Sequence, residues 1–199
     1  GARARRSQPR PAAVEPGPDL ETSADLSFEE AVRGATREIR LTTGEPSQAD
    51  EVIRFRVPPG VREGQRIRVR GKGQEGPGGR GDLLIRCHIR PHPYFRREDN
   101  DILLEVPVTV HEALLGTQVD IPTLDGVTVV KIPPGTSSGT KLRLRGRGVK
   151  DARTGAAGDM YAVVRIVIPK ALSPRGTELV RQLAPELDTQ PRARLGWAT

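Results

Sequence analysis

Three short runs carry the residue types and spacing of chemical sites. Gly71-x-Gly73-x-x-Gly76 matches the glycine pattern that seats a pyrophosphate on a helix N-terminus. That chemistry needs a helix directly after the glycines, and Pro77-Gly78-Gly79 cannot start one. The run reads as a loop between strands. Gly135-Thr136-Ser137-Ser138-Gly139 has the spacing of a nucleophile elbow, which needs a strand before the serine and a helix after it. Two prolines precede it and an alternating strand pattern follows, so this run is a turn. Glu98-Asp99-Asn100-Asp101 gathers carboxylates but lacks the glycine and distal glutamate of a calcium loop. His88, His92 and His111 show no metal-ligand spacing, and no carboxylate pair stands out as general acid and base. The sequence therefore points to no enzyme activity, no metal and no cofactor, and leaves a binding surface as the carrier of function.

The elements that would position such a surface come in two copies. The first reads Val57-Pro58-Pro59-Gly60, Gly64, Arg66-Ile67-Arg68-Val69-Arg70-Gly71-Lys72-Gly73 and Gly81-Asp82. The second reads Ile132-Pro133-Pro134-Gly135, Gly139, Lys141-Leu142-Arg143-Leu144-Arg145-Gly146-Arg147-Gly148 and Gly158-Asp159. In the first copy Arg62 stands where the second has Ser137, so the turn does not depend on a serine. Upstream, Ser27-x-x-Glu30 with Gly34 matches Thr109-x-x-Glu112 with Gly116; each is a capping box that starts a short helix, followed by a glycine stop. Between these signals the apolar residues alternate over Thr36–Leu41, Val52–Val57, Arg66–Arg70, Leu83–Ile89, Ile102–Val110, Gln118–Ile121, Val127–Ile132, Lys141–Arg145 and Met160–Ile168, which predicts strands. Ser173-Pro174 starts a last helix, with Leu179, Val180 and Leu183 as a narrow apolar stripe and Pro185 at its end.

The fold expected is mainly β: two tandem small sandwich- or barrel-like domains with short helices, plus a C-terminal helix. The boundaries read as a disordered linker over 1–20, a first domain over 21–97, a second over 98–170, a C-terminal helix over 171–187 and a tail over 188–199. Units of this size bury modest cores and must lean on each other or on a partner. One cysteine in 199 residues excludes a disulfide framework, and Cys87 in its apolar run reads as a reduced, buried thiol. No run is long enough to cross a membrane as a helix.

The net charge of +7 admits an acidic partner or nucleic acid. Many arginines alternate along strands, where they are either a solvated sheet face or a polyanion surface. The strand over Thr36–Leu41 is the other candidate. Ile39 and Leu41 are either ordinary core or the apolar part of an edge that accepts an extended peptide, with Arg37 beside them to hold acidic side chains.

The ordered set Ser27-Phe28-Glu29-Glu30-Ala31, Val57-Pro58-Pro59-Gly60, Arg68-Val69-Arg70-Gly71-Lys72-Gly73, Gly81-Asp82-Leu83, His92-Pro93-Tyr94-Phe95-Arg96, Glu112-Ala113-Leu114-Leu115-Gly116 and Ile121-Pro122-Thr123-Leu124-Asp125-Gly126 closely resembles the C-terminal region of DnaJ-type co-chaperones. The resemblance covers roughly residues 22–184. The zinc-binding cysteine repeats of one subclass are absent, so the chain looks like the zinc-less subclass. No His-Pro-Asp tripeptide of a J domain occurs, so the chain reads as a fragment. The resemblance implies a homodimer of peptide-binding units. It implies partners in unfolded protein clients and in the acidic C-terminal tail of a 70-kDa heat-shock chaperone, with no membrane and a cytoplasmic location. Carried over by position, the groove would be formed by Ile39, Leu41, Ala24 and Thr22, with Arg37 as anchor of the acidic tail. Leu179, Val180 and Leu183 would dimerise. Some bacterial zinc-less relatives resemble DNA-associated proteins, which keeps DNA as an alternative partner.

Overall fold

A computed structural model of the chain describes residues 15–41, 51–152, 154–187 and 192. The expected turn at Gly44–Ser47, most of the expected linker over 1–20 and most of the tail over 188–199 lie outside the described residues. The first unit contains β1 (Leu20–Leu26), α1 (Phe28–Arg33), β2 (Ala35–Leu41), β3 (Glu51–Val57), β4 (Arg66–Val69), the two-residue strands β5 (Glu75–Gly76) and β6 (Gly79–Arg80), and β7 (Leu83–Ile89). The second contains β8 (Phe95–Glu98), β9 (Asp101–Thr109), α2 (Val110–Leu115), β10 (Thr117–Thr123), β11 (Gly126–Ile132), β12 (Lys141–Leu144) and β13 (Met160–Val167). Helix α3 (Pro174–Leu183) and a 3-10 turn over Ala184–Leu187 follow. The protein is thus mainly β with few short helices, built from several small sheets with no closed barrel among the described residues.

Each unit has the same plan. A central strand, β7 or β13, pairs in parallel with the first long strand, β1 or β9, and antiparallel with β4 or β12. A separate hairpin, β2–β3 or β10–β11, packs its inner face on that sheet. The alternation that marked these strands is the alternation of burial: Ile53, Phe55 and Val57 are buried while Val52, Arg54 and Arg56 are exposed. Both helices begin with complete capping boxes. The Ser27 hydroxyl accepts from the Glu30 N–H at 3.2 Å, and a Glu30 carboxylate oxygen accepts from the Ser27 N–H at 2.8 Å. Thr109 and Glu112 repeat the arrangement.

The recurring Gly-Asp pair has a steric cause. A Cβ on Gly81 would lie 2.4 Å from the carbonyl oxygens of Gly17 and Pro18, and one on Gly158 would lie 2.0 Å from that of Asn100. The aspartate that follows ties the loop: Asp82 accepts from the Gly71 N–H and from Arg68, and Asp159 accepts from the Gly146 N–H and from Arg143. The G-x-G-x-x-G run therefore leads into the small β5–β6 hairpin, and no helix follows it.

The units share a core. Phe28 and Val32 of α1 belong to the same buried cluster as Phe95, Leu104, Ile132 and Val164 of the second unit. Residues 90–94, between β7 and β8, form the linker that joins the units, and His92 in it fixes this joint. Its Nδ1 accepts from the N–H groups of Tyr94 and Phe95, both at 3.1 Å, and its Nε2 lies 3.1 Å from Glu29. The ring stacks on Phe95 with centroids 4.7 Å apart and meets Phe28 at 5.6 Å. Arg97 adds a second tie, donating to the carbonyls of Val61 at 2.7 Å, Gly60 at 2.9 Å and Asp99 at 2.7 Å.

Candidate functional site

The long edges of β1 and β2 that face away from β7 and β3 border a small concavity. It has about 200 Å³ and is lined by Ser23, Ala24 and Asp25 of β1, Arg37, Glu38 and Ile39 of β2, and Phe55 of β3. Two of the four residues expected in a groove, Ala24 and Ile39, meet there with Arg37, the expected anchor. Thr22 and Leu41 do not line it: both are half-buried, Thr22 earlier on β1 and Leu41 at the end of β2. Ile39 and Leu41 also pack against the core cluster of the first unit. The two alternatives for Ile39 are thus combined in one residue, with one flank on the core and another on the cavity.

Arg37 is held, not free. Its Nη1 donates to Glu30 at 2.9 Å, and the same carboxylate closes the capping box of α1. The helix start thereby sets the position of the concavity's arginine. An acidic ligand at Arg37 would share the guanidinium with Glu30 and would meet Asp25 and Glu38 on the cavity walls, although Arg54 covers Glu38 with two donations at 2.7 and 3.0 Å. Sequence reading missed three contributors: Phe55 as floor, Glu30 as holder of Arg37, and the acidic walls. Phe55 was legible as a strand residue, but its place under Arg37 depends on the β2–β3 register, which pairs Arg37 with Phe55.

A larger cleft of about 620 Å³ lies where the units join, floored by Phe28, Val32, Ile89 and Phe95 and rimmed by Arg62, Arg90 and Arg97. Burial, and then the neighbouring Arg62, pull the Arg97 pKa below the usual guanidinium range. At the α1 side of the joint, the Glu29 carboxyl is held low by its own backbone N–H, then by the Ser27 hydroxyl and His92, against the opposing pull of burial. Cys87 is fully buried, and burial raises its thiol pKa. Among the described residues no group of three or more His, Cys, Asp and Glu could hold a metal ion. Among the described residues no helix is long and apolar enough to cross a membrane.

Helix α3 buries none of its residues, and Leu179, Val180 and Leu183 are 48%, 53% and 41% exposed. The second unit leaves an apolar face of its own. Val110, Leu114 and Leu115 of α2 are exposed, whereas Phe28 and Val32, at the matching places in α1, are covered by the linker.

The fold and this concavity define a class: a duplicated β-sheet module whose first copy has a half-apolar strand edge with no strand partner among the described residues. The DnaJ C terminal domain matches residues 20–169, and the chain belongs to that family. It is 39% identical over 188 residues to a curved DNA-binding protein of Coxiella burnetii (strain RSA 493 / Nine Mile phase I), covering 90% of this chain and 59% of that protein. It is 45% identical over 141 residues to a chaperone protein DnaJ of Roseiflexus sp. (strain RS-1), covering 70% of this chain and 38% of the relative. A chaperone protein DnaJ of Bacillus cytotoxicus is 42% identical over 138 residues, covering 68% of this chain and 38% of the relative. The chain thus spans less than two thirds of the length of these relatives.

Proposed function

We propose that the chain is the client-binding region of a co-chaperone. It holds non-native polypeptide as an added strand in the β1–β2 groove and passes it to a 70-kDa heat-shock chaperone. The observation that carries this reading is the pair of strand edges around Ala24, Arg37 and Ile39 that have no strand partner among the described residues. Backbone groups along such an edge supply affinity without sequence preference, and a shallow apolar floor admits many side chains. Arg37, already turned toward a carboxylate, suits the acidic tail of the partner chaperone. The test is suppression of aggregation of a denatured protein. The chain should slow it, and Ile39→Asp with Leu41→Asp, confirmed as folded by circular dichroism, should abolish the effect. Full protection by the folded double variant would remove the groove from this role.

The working form is a homodimer in which the Leu179, Val180 and Leu183 face of one copy covers the exposed α2 face of another. Truncation after Ile168 should halve the mass seen by light scattering; an unchanged mass excludes this arrangement. A second reading, binding of duplex DNA, is favoured by the +7 net charge and by the name of the Coxiella relative. A gel shift that weakens steeply with added salt supports it, and no shift at low salt removes it.

A further inference from the structure

We infer that the outer face of the second sheet is a binding platform for single-stranded nucleic acid, separate from the peptide groove. The reasoning begins with residue types. The chain has only two tyrosines, and the fold brings both to this region. Tyr161, Val163 and Arg165 point outward from β13, alternating with the buried Met160, Ala162 and Val164. In register, Tyr161 lies between Leu103 of β9 and Arg143 of β12, and Arg96 of β8 pairs with the far side of Leu103. One row across the four strands therefore reads Arg96, Leu103, Tyr161, Arg143. Tyr94 is 63% exposed and overhangs this face from the linker, its ring set by an edge contact with His92 at 5.6 Å.

Between Tyr94 and the sheet lies a concavity of about 440 Å³, lined by Arg96, Lys141 and Arg165 over a floor of Leu103 and Val163. Its carboxylate, Glu105, is shared between Arg96 and Arg165 at 3.6 Å each, and Lys141 has no ion pair among the described residues. Within the concavity the cations Arg96, Lys141 and Arg165 meet one carboxylate, Glu105, a local surplus of two positive charges, whereas over the whole four-stranded face Glu98, Asp101, Glu105 and Asp159 balance Arg96, Lys141, Arg143 and Arg165. The matching face of the first unit, with Arg66, Arg68 and Arg86 against Glu21, Asp25 and Asp82, is also balanced as a whole, but it carries no tyrosine, phenylalanine or tryptophan.

A surplus of guanidinium and ammonium groups attracts a phosphate backbone, and exposed aromatic faces reward bases that are free to stack. Aromatic side chains on a sheet face cannot stack on paired bases inside a duplex, so this combination selects an unpaired strand. The site needs neither the peptide groove nor duplex binding.

The test is fluorescence anisotropy of a labelled oligothymidylate of roughly 15 nucleotides, long enough for one such site, titrated with the whole chain. A duplex of equal length is titrated in parallel. The expected result is binding at about 50 mM salt that is at least about tenfold tighter for the single strand than for the duplex. Tyr94→Ala should weaken it about tenfold, and Tyr94→Phe should leave it within about twofold. Lys141→Ala with Arg165→Ala should lower the slope of log K against log salt by about 1.4, for two lost phosphate contacts. Arg66→Ala with Arg86→Ala, on the first unit's face, should change neither quantity. Equal affinity for duplex and single strand, no binding at low salt, or an unchanged affinity in both Tyr94→Ala and the Lys141/Arg165 variant would each overturn the inference. Tyr94 is largely exposed, so its variants should keep the parent's thermal midpoint, and the double variant gives a second readout.

Discussion

The two units are built on one plan, and they differ in what covers their edges and helices. In the second unit, β8 pairs with the outer edge of β9 from Asp101 to Leu104. The matching edge of β1 has no such partner among the described residues. In the first unit, the linker and the start of β8 lay His92 and Phe95 over Phe28 and Val32 of α1. The matching residues of α2 stay exposed. One segment, the linker with β8, makes both differences: it closes the helix of the unit before it and the strand edge of the unit after it. The open β1 edge and the open α2 face are what that segment leaves over. Open surfaces in a duplicated fold can thus arise from asymmetric covering, without any change to the repeat itself.

The largest test of this comparison removes the cover. Phe95 is 7% exposed and stacks on both Phe28 and His92. Phe95→Ala should cost about 3–5 kcal/mol in chemical denaturation, the usual range for a buried aromatic truncated to alanine. If the linker is what joins the units, unfolding should also lose its cooperativity, with the first unit melting before the second. A cost under about 1 kcal/mol with one sharp transition would mean that the joint rests on other contacts, such as those of Arg97.

A smaller test sharpens the difference between the open and closed edges. Ala24 lies where the second unit has Val106, which is buried in its core. Ala24→Val should fill the concavity beside Ile39 and weaken binding of an extended apolar peptide about tenfold, roughly 1.4 kcal/mol. The fold should tolerate the change because Ala24 is only half-buried. Peptide titration by fluorescence anisotropy reads it, and an unchanged affinity would move the groove away from Ala24.

Much of the plan was legible in the sequence. The capping boxes at Ser27 and Thr109, the strand pattern of β3 and β7 and the matched Gly-Asp pairs are local signals, and the structure realises each. Four strands were not legible: the two-residue β5 and β6, inside a run that reads as a loop, and β1 and β8, on which the comparison turns. Leu20-Glu21-Thr22-Ser23-Ala24-Asp25-Leu26 has few strongly β-forming residues and becomes a strand through its parallel pairing with β7, more than 60 residues away by the register Leu20 with Leu83. Phe95–Glu98 has one apolar residue and becomes a strand through its two-residue turn, where Asp99 takes a φ of 52°. The site was legible only as residue types. Ala24 and Arg37 meet because β1 and β2 belong to different sheets, a fact of tertiary packing. The pairing of Arg37 with Glu30 follows from the same packing of α1 beside β2.

The smallest effect is expected where the units do not differ. Asp82 and Asp159 make the same two contacts, and in each the carboxyl is held below the usual aspartate range. The first cause is the backbone N–H of Gly71 or Gly146, with Arg68 or Arg143 adding to it. A carboxyl held low in the folded state contributes stability above its unfolded pKa and loses it as pH falls through the folded value. The contribution should therefore be intact at neutral pH and shrink once pH drops below about 4, where free aspartate takes up a proton. Asp82→Asn and Asp159→Asn should each lower the thermal midpoint at pH 7, and the gap to the parent should close on acidification. If the repeat is equivalent in its scaffold and asymmetric only in its covering, the two variants should give gaps of equal size that close over the same pH window. Unequal gaps would show that the scaffold itself has diverged, and that the open edge of the first unit is not simply the result of what the linker leaves uncovered.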